Sequence, residues 1–220
     1  MTSRAWLITG VSSGFGRELT SQLLDRGDRV IGTVRDTSKI ADLAGRYPDT
    51  FVPEVLEMTD RTAVRHLVDR AFGQCGRVDA IVSNAGYGLF GAAEELSDDQ
   101  VEVAQEVAPF GIGVTIVEPG GARTEFRYRS ARVADLMPEY EGNPAHAFQR
   151  MLDPANGIAP GDPARMAARI IDSVGTEPAP LRMVLGSQAL EGTIGTLRQR
   201  IEDFEQQTGL AASTDFPPGE

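Results

Sequence analysis

The stretch Thr9-Gly10-Val11-Ser12-Ser13-Gly14-Phe15-Gly16 directly follows the apolar run Ala5-Trp6-Leu7-Ile8, and it constrains the fold more than any other part of the chain. An apolar run stopped by glycines predicts a buried strand. Beyond the turn, Phe15, Leu19, Leu23 and Leu24 share one face of a helix expected from about Gly14 to Arg26. Gly10 permits the tight turn, Gly14 lets a ligand's phosphates approach the backbone, and Gly16 lets helix and strand pack closely. The helix then directs its unpaired N–H groups and the positive end of its dipole at that ligand. A glycine triplet alone is a weak signal. Between a strand and an amphipathic helix near the N-terminus it has the context of a dinucleotide-binding fingerprint, the alternative being a purely structural turn.

Strand and helix signals alternate through the first hundred residues, which predicts an α/β sheet of parallel strands. Strand two is Arg29–Val34, followed by a helix from about Ser38 with Thr37 as its cap. Strand three is Phe51–Leu56, and Pro53 puts it at the sheet edge. A helix capped by Thr59 or Asp60 carries the stripe Val64, Leu67, Val68, Ala71, Phe72 and closes at Gly73 and Gly76. Strand four, Val78–Val82, runs into Ser83-Asn84-Ala85-Gly86. One helix from Ser97 to about Val107 precedes the strand Val114–Glu118 and Pro119-Gly120-Gly121.

Residues 124–160, rich in Pro, Gly and Arg, read as a lid or substrate loop. Asp162-Pro163 starts a helix, Leu181–Leu185 is the last strand, and a helix from about Ser187 puts Leu190, Ile194, Leu197, Ile201 and Phe204 on one face. The tail 212–220 is expected to fray.

The length of 220 residues suits one domain over 1–220. A net charge of −11 without a basic block argues against nucleic acid and anionic membrane as partners, and no apolar run is long enough to span a bilayer. A single cysteine, Cys75, and an N-terminus that is already strand point to a cytoplasmic protein. No metal-ligand pattern is present.

Three motifs stand in order: Thr9-Gly-x-x-x-Gly-x-Gly16, Asn84-Ala85-Gly86 and Pro119-Gly120-x-x-x-Thr124. Together they resemble the short-chain dehydrogenase/reductase family, nicotinamide-dependent oxidoreductases on a Rossmann-like, doubly wound parallel sheet. By that resemblance Gly10, Ser12, Ser13, Gly14, Phe15 and Gly16 hold the cofactor's pyrophosphate and ribose. Glu57 and Met58 stand against the adenine, Asn84, Ala85 and Gly86 flank the ribose, and Thr124, after Pro119 and Gly120, reaches the nicotinamide amide. At the end of strand two, NAD enzymes place an acid to accept the ribose hydroxyls. This chain has Val34 and then Arg35, whose guanidinium suits a 2′-phosphate, so NADP(H) is favoured over NAD(H). Two readings compete: Asp36, one place on, as the acid, and Arg35 as a plain solvated charge.

The family's catalytic Asn, Ser and Tyr-x-x-x-Lys lie between the Asn-Ala-Gly strand and the Pro-Gly strand. That interval here holds a single helix, as though the start of one family helix and the end of the next were joined near Val101, with on the order of 60 residues absent by comparison with a usual domain. Lys39 is the only lysine, so no Tyr-x-x-x-Lys exists, and the candidate catalytic set is none. Tyr128-x-x-x-Arg132 is the nearest look-alike; Tyr87, Tyr140, Ser130, His66 and His146 have no supporting context.

The expected sheet has about six strands, one fewer than the family's, with strand four pairing directly with Val114–Val117 to close the gap. The family's dimer interface, formed by the shortened helices, is expected to be disrupted. The leading functional expectation is an NADP(H)-binding protein, oxidoreductase by lineage and catalytically impaired. The alternatives are an active carbonyl or alcohol oxidoreductase with a non-standard acid, a non-enzymatic NADP(H) sensor, and the folding by-product of a shortened gene.

Overall fold

A computed structural model describes residues 3–86, 106–125 and 159–216. The strands are β1 (Ala5–Ile8), β2 (Arg29–Val34), β3 (Phe51–Val55), β4 (Ala80–Val82), β5 (Ile116–Pro119) and β6 (Arg182–Leu185). The helices are α1 (Gly14–Asp25), α2 (Ala41–Arg46), α3 (Arg61–Cys75), α4 (Pro163–Ser173), α5 (Ser187–Glu205) and α6 (Thr208–Ala212). A 3-10 turn at Thr37–Ile40 leads into α2, and its cap is Asp36 rather than the expected Thr37.

Four strands form one parallel sheet in the order β3-β2-β1-β4, with Leu7 level with Ile31 on one side and Ile81 on the other. Pro53 lies on the edge strand β3, where a missing N–H costs no ladder bond. Successive side chains of a strand point to opposite faces, and β1 divides accordingly. Trp6 and Ile8 pack with Leu19, Leu23 and Leu24 of α1 and with Ala167 and Ile171 of α4. Leu7 packs on the other face with Ile31, Leu56, Leu67 and Ala71, the last two from α3. Helices on both faces make the architecture doubly wound, with the apolar strands buried from both sides.

Sequence caps start two of these helices. Asp60 accepts from the N–H groups of Thr62 and Ala63 at 3.0 Å each, and Asp162 accepts from those of Ala164 and Arg165. Gly76, at φ +66°, ends α3, whereas Gly73 lies inside it. In the α3 stripe only Leu67 and Ala71 are buried.

The expected closure of the sheet does not occur. Among the described residues β5 pairs in parallel with β6 as a separate two-stranded sheet, Val117 level with Met183, and β4 pairs only with β1. Among the described residues no strand covers the outer edge of β4, where Ile81 is 60% exposed. The physical reason lies in α4, whose Ala167 and Ile171 share a core with α1. Gln22 reaches the Ala164 carbonyl at 2.9 Å, and Arg4 reaches that of Val174 at 3.0 Å. The segment after β5 bridges to the turn before α4, Ala122 beside Gly161, so the β5–β6 pair is tied to α1 through α4. The helix expected from Ser97 falls largely outside the described residues, although Glu106 and Val107 at its end are helical. Most of the lid 124–160 also lies outside them.

Candidate functional site

In a parallel sheet every strand delivers its following loop to the same carboxyl edge, the edge at which such folds bind ligands. Four groups of candidate residues gather there because they follow strands: 10–16 after β1, Arg35 after β2, Glu57 and Met58 after β3, 84–86 after β4; residues 119–124 follow β5 of the other sheet, and Thr124 comes beside Gly14.

The β1–α1 turn is fixed from both sides. Gly10 (φ +73°) sends its N–H to Thr33 of β2, 3.1 Å from the carbonyl and 3.1 Å from Oγ1, and Val11 sends its N–H to the same carbonyl at 3.0 Å. From β4, the Asn84 side-chain amide donates to the carbonyls of Thr9 (2.9 Å) and Gly10 (3.1 Å). Thr9 Oγ1 in turn accepts from the backbone N–H groups of Asn84 and Ala85 at 2.9 Å each. A Cβ on Gly16 would stand 2.2 Å from the Gly10 carbonyl oxygen and 2.5 Å from Asn84 Nδ2, so glycine alone allows α1 to start this close to the turn.

This turn fits the phosphates of a dinucleotide. The first N–H groups of a helix have no partner inside it, and Ser13, the extended N-cap of α1, makes no side-chain bond to them. Gly14 (φ +55°) faces Thr124, whose Cβ would lie 3.7 Å from an added Cβ. Between Gly14, Arg17 and Thr124 opens a cleft of about 290 Å³. Ser12 and Phe15 are half-buried beside it, and Ser13 is exposed.

Electrostatics separate the residues after β2. The Asp36 carboxylate is committed to Ser38, accepting from its hydroxyl at 2.7 Å and its N–H at 3.0 Å. Those two bonds hold Asp36 below the usual carboxylate range. Arg17 is engaged by Asp42 and the Lys39 carbonyl. Arg35 is exposed and has no ion pair among the described residues.

The other candidates vary in what they touch. Glu57 accepts a long 3.4 Å bond from the Thr59 N–H, and Met58 is exposed. Gly86 is exposed. Both amide donors of Asn84, expected beside the ribose, are used to tie β4 to the β1 turn. Pro119 is paired with Leu185, and a Cβ on Gly120 would come 3.0 Å from Ala189 Cβ, so this pair seats β5 against the first turn of α5.

Thr9 and Thr33 were missed as site residues. Their signal was a buried hydroxyl closing an apolar strand, since such a group needs a partner. His66 is exposed on α3. Tyr87, Tyr128, Ser130, Arg132, Tyr140 and His146 lie outside the described residues. Among the described residues no group of His, Cys, Asp and Glu could hold a metal, and no helix is long and apolar enough to cross a membrane.

A model of the short chain dehydrogenase family matches residues 4–104. Oxidoreductase BOA17 of Botryotinia fuckeliana is 26% identical over 250 aligned positions, taking in 86% of this chain and 91% of that protein. That span exceeds the 220 residues of the chain, so the relative carries residues without a counterpart here. A probable NADP-dependent dehydrogenase of Dichelobacter nodosus is 36% identical over 83 residues, 38% of this chain and 78% of that protein. Four further oxidoreductases match over only 36% to 40% of their own lengths. A solved short-chain dehydrogenase from Streptomyces avermitilis superposes with a TM-score of 0.84 at 28% identity, covering 97% of this chain and 99% of that one.

Proposed function

Because the chain belongs to the short-chain dehydrogenase family, an oxidoreductase family whose fold binds a nicotinamide dinucleotide, we propose that it binds NADP(H) in preference to NAD(H) and lacks efficient proton transfer to substrate. One observation carries the cofactor preference. Arg35 is the free cation at the end of β2, while the neighbouring acid, Asp36, is turned into the following turn by Ser38. A free guanidinium attracts a 2′-phosphate, and an acid whose Oδ1 accepts both Ser38 bonds is tied to the turn that follows it.

On this reading Gly10, Ser12, Ser13, Gly14, Phe15 and Gly16 hold the pyrophosphate, Arg35 the 2′-phosphate, and Thr124 the nicotinamide end. When bound, the nicotinamide supplies the hydride. The test is a pair of titrations, NADPH and NADH, on the wild type and on Arg35→Ser. NADPH is expected to bind about ten- to a hundredfold tighter to the wild type, the worth of a hydrogen bond to a charged group. Arg35→Ser is expected to remove that advantage and leave NADH affinity unchanged. Equal affinities in the wild type overturn the preference.

The impairment rests on residue inventory. The sole lysine, Lys39, sits in the turn after β2, and the family match stops at residue 104, just past the Val101 junction. Without a positioned acid, carbonyl-dependent NADPH oxidation is expected to run about 10² to 10⁴ below that of a relative with the full set. Proximity of donor and carbonyl supplies what rate is left. Steady-state assays over a panel of aldehydes and ketones measure it. Turnover matching a complete relative's refutes the impairment, and its loss in Tyr128→Phe or Tyr140→Phe would identify a non-standard acid. The localisation consistent with this reading is cytoplasmic.

A further inference from the structure

α5 is the longest described helix, and none of its residues is buried. Its large apolar residues are nonetheless in strict order: Leu190, Ile194, Leu197, Ile201 and Phe204, alternately four and three apart. They are 47%, 39%, 52%, 56% and 71% exposed. This repeat of 3.5 residues is the narrow seam of a coiled coil; a helix laid on a sheet uses a broader stripe with a period near 3.6. In heptad terms Ile194 and Ile201 take the a positions and Leu190, Leu197 and Phe204 the d positions. Isoleucine at a with leucine at d is the combination that favours two parallel strands. Gly192 and Gly195, poor helix formers, fall at f and b, away from the seam.

The flanking charges name the occupant. Arg200 is at g and Glu205 at the following e, and neither makes an ion pair among the described residues. In a parallel pair each g residue meets the next e residue of the other helix, so two copies of this helix make the Arg200–Glu205 pair twice. Antiparallel pairing instead sets e against e, which brings Arg198 towards Arg198 and Glu191 towards Glu205. We propose that α5 is a self-association surface, through which two copies of this chain join as a short parallel coiled coil.

Sedimentation velocity of the full chain over a concentration series tests it. The wild type is expected to show a monomer–dimer equilibrium, and Ile194→Asp to abolish it. Arg200→Glu is expected to weaken the dimer about tenfold, because two attractive pairs become repulsive at exposed positions. The double variant Arg200→Glu/Glu205→Arg is expected to restore it, a rescue that a merely structural role for Arg200 would not give. As α5 contributes nothing to the buried core, each variant is expected to keep the wild-type thermal transition at concentrations where the wild type is monomeric. A monomer at every concentration overturns the proposal, as does a dimer indifferent to Ile194→Asp or not rescued by the double swap. A monomer whose α5 amides are protected from hydrogen exchange also overturns it, by assigning the seam to a segment of the same chain.

Discussion

Gly16→Ala is expected to lower stability by about 3 kcal/mol, the upper end of what overpacking usually costs, and to remove dinucleotide binding. The added methyl group meets backbone: the Gly10 carbonyl oxygen at 2.2 Å and its carbon at 3.0 Å, with Asn84 Nδ2 at 2.5 Å. A flexible side chain could swing away, whereas a turn held by Thr33 and Asn84 cannot. α1 must then lift from the sheet, loosening Leu19, Leu23 and Leu24. For a domain of this size the loss corresponds to about 6 to 12 °C in melting temperature. Gly73→Ala is the control, because a Cβ there meets nothing within 4 Å. Inside a helix that change is expected to be neutral or stabilising by up to about 1 kcal/mol. Urea unfolding and an NADPH titration of both variants check the pair. A Gly16→Ala protein as stable as wild type would show that α1 does not start where described.

Thr9→Val is expected to cost about 2 to 4 kcal/mol without any change of shape. The valine fills the same volume but leaves the N–H groups of Asn84 and Ala85 facing a methyl group. A stranded donor costs about 1 to 3 kcal/mol when buried, and these two, part-buried, sit toward the lower end. Thr9 is only 8% exposed, so water is a poor substitute. Thr9→Ser keeps the oxygen and is expected to stay within about 1 kcal/mol of wild type, since only a methyl group is lost. The comparison of denaturation midpoints isolates the hydroxyl: equal midpoints for the valine and serine variants would show that it carries no load. NADPH affinity is expected to fall with the valine change, because the 84–86 loop is tied to the turn through this oxygen.

The first 82 residues were legible because their information is local. Apolar runs stop at glycines, Asp60 stands where a cap is needed, and Pro53 marks an edge. What could not be read locally was what pairs residues far apart. The motif places Asn84 beside the ribose, but nothing local shows that its side-chain amide bridges β4 to the β1 turn across 74 and 75 positions of sequence. The failure of β4 and β5 to pair has the same origin. Strand identity was evident from composition, while the anchor that decides strand neighbours, α4 against α1, is a contact between two amphipathic helices with no mutual signature. The α5 stripe was visible too, but burial is a property of surroundings, and a seam and a core face look alike until the neighbours are known. The left-handed turn at Gly10 and the close approach of Gly16 to the Gly10 carbonyl are legible because both act within one short stretch of sequence.

The way α4 closes over α1 has a consequence for how the protein is made. Ala167 and Ile171 complete the core on the α1 side of the sheet, yet they leave the ribosome long after the strands they cover. Throughout that interval the nascent chain carries an assembled-looking sheet with one flank bare, the situation in which a late, distant contact slows folding and invites aggregation. Synthesis arrested anywhere before α4 would therefore release a product dependent on chaperones, however complete its glycine turn.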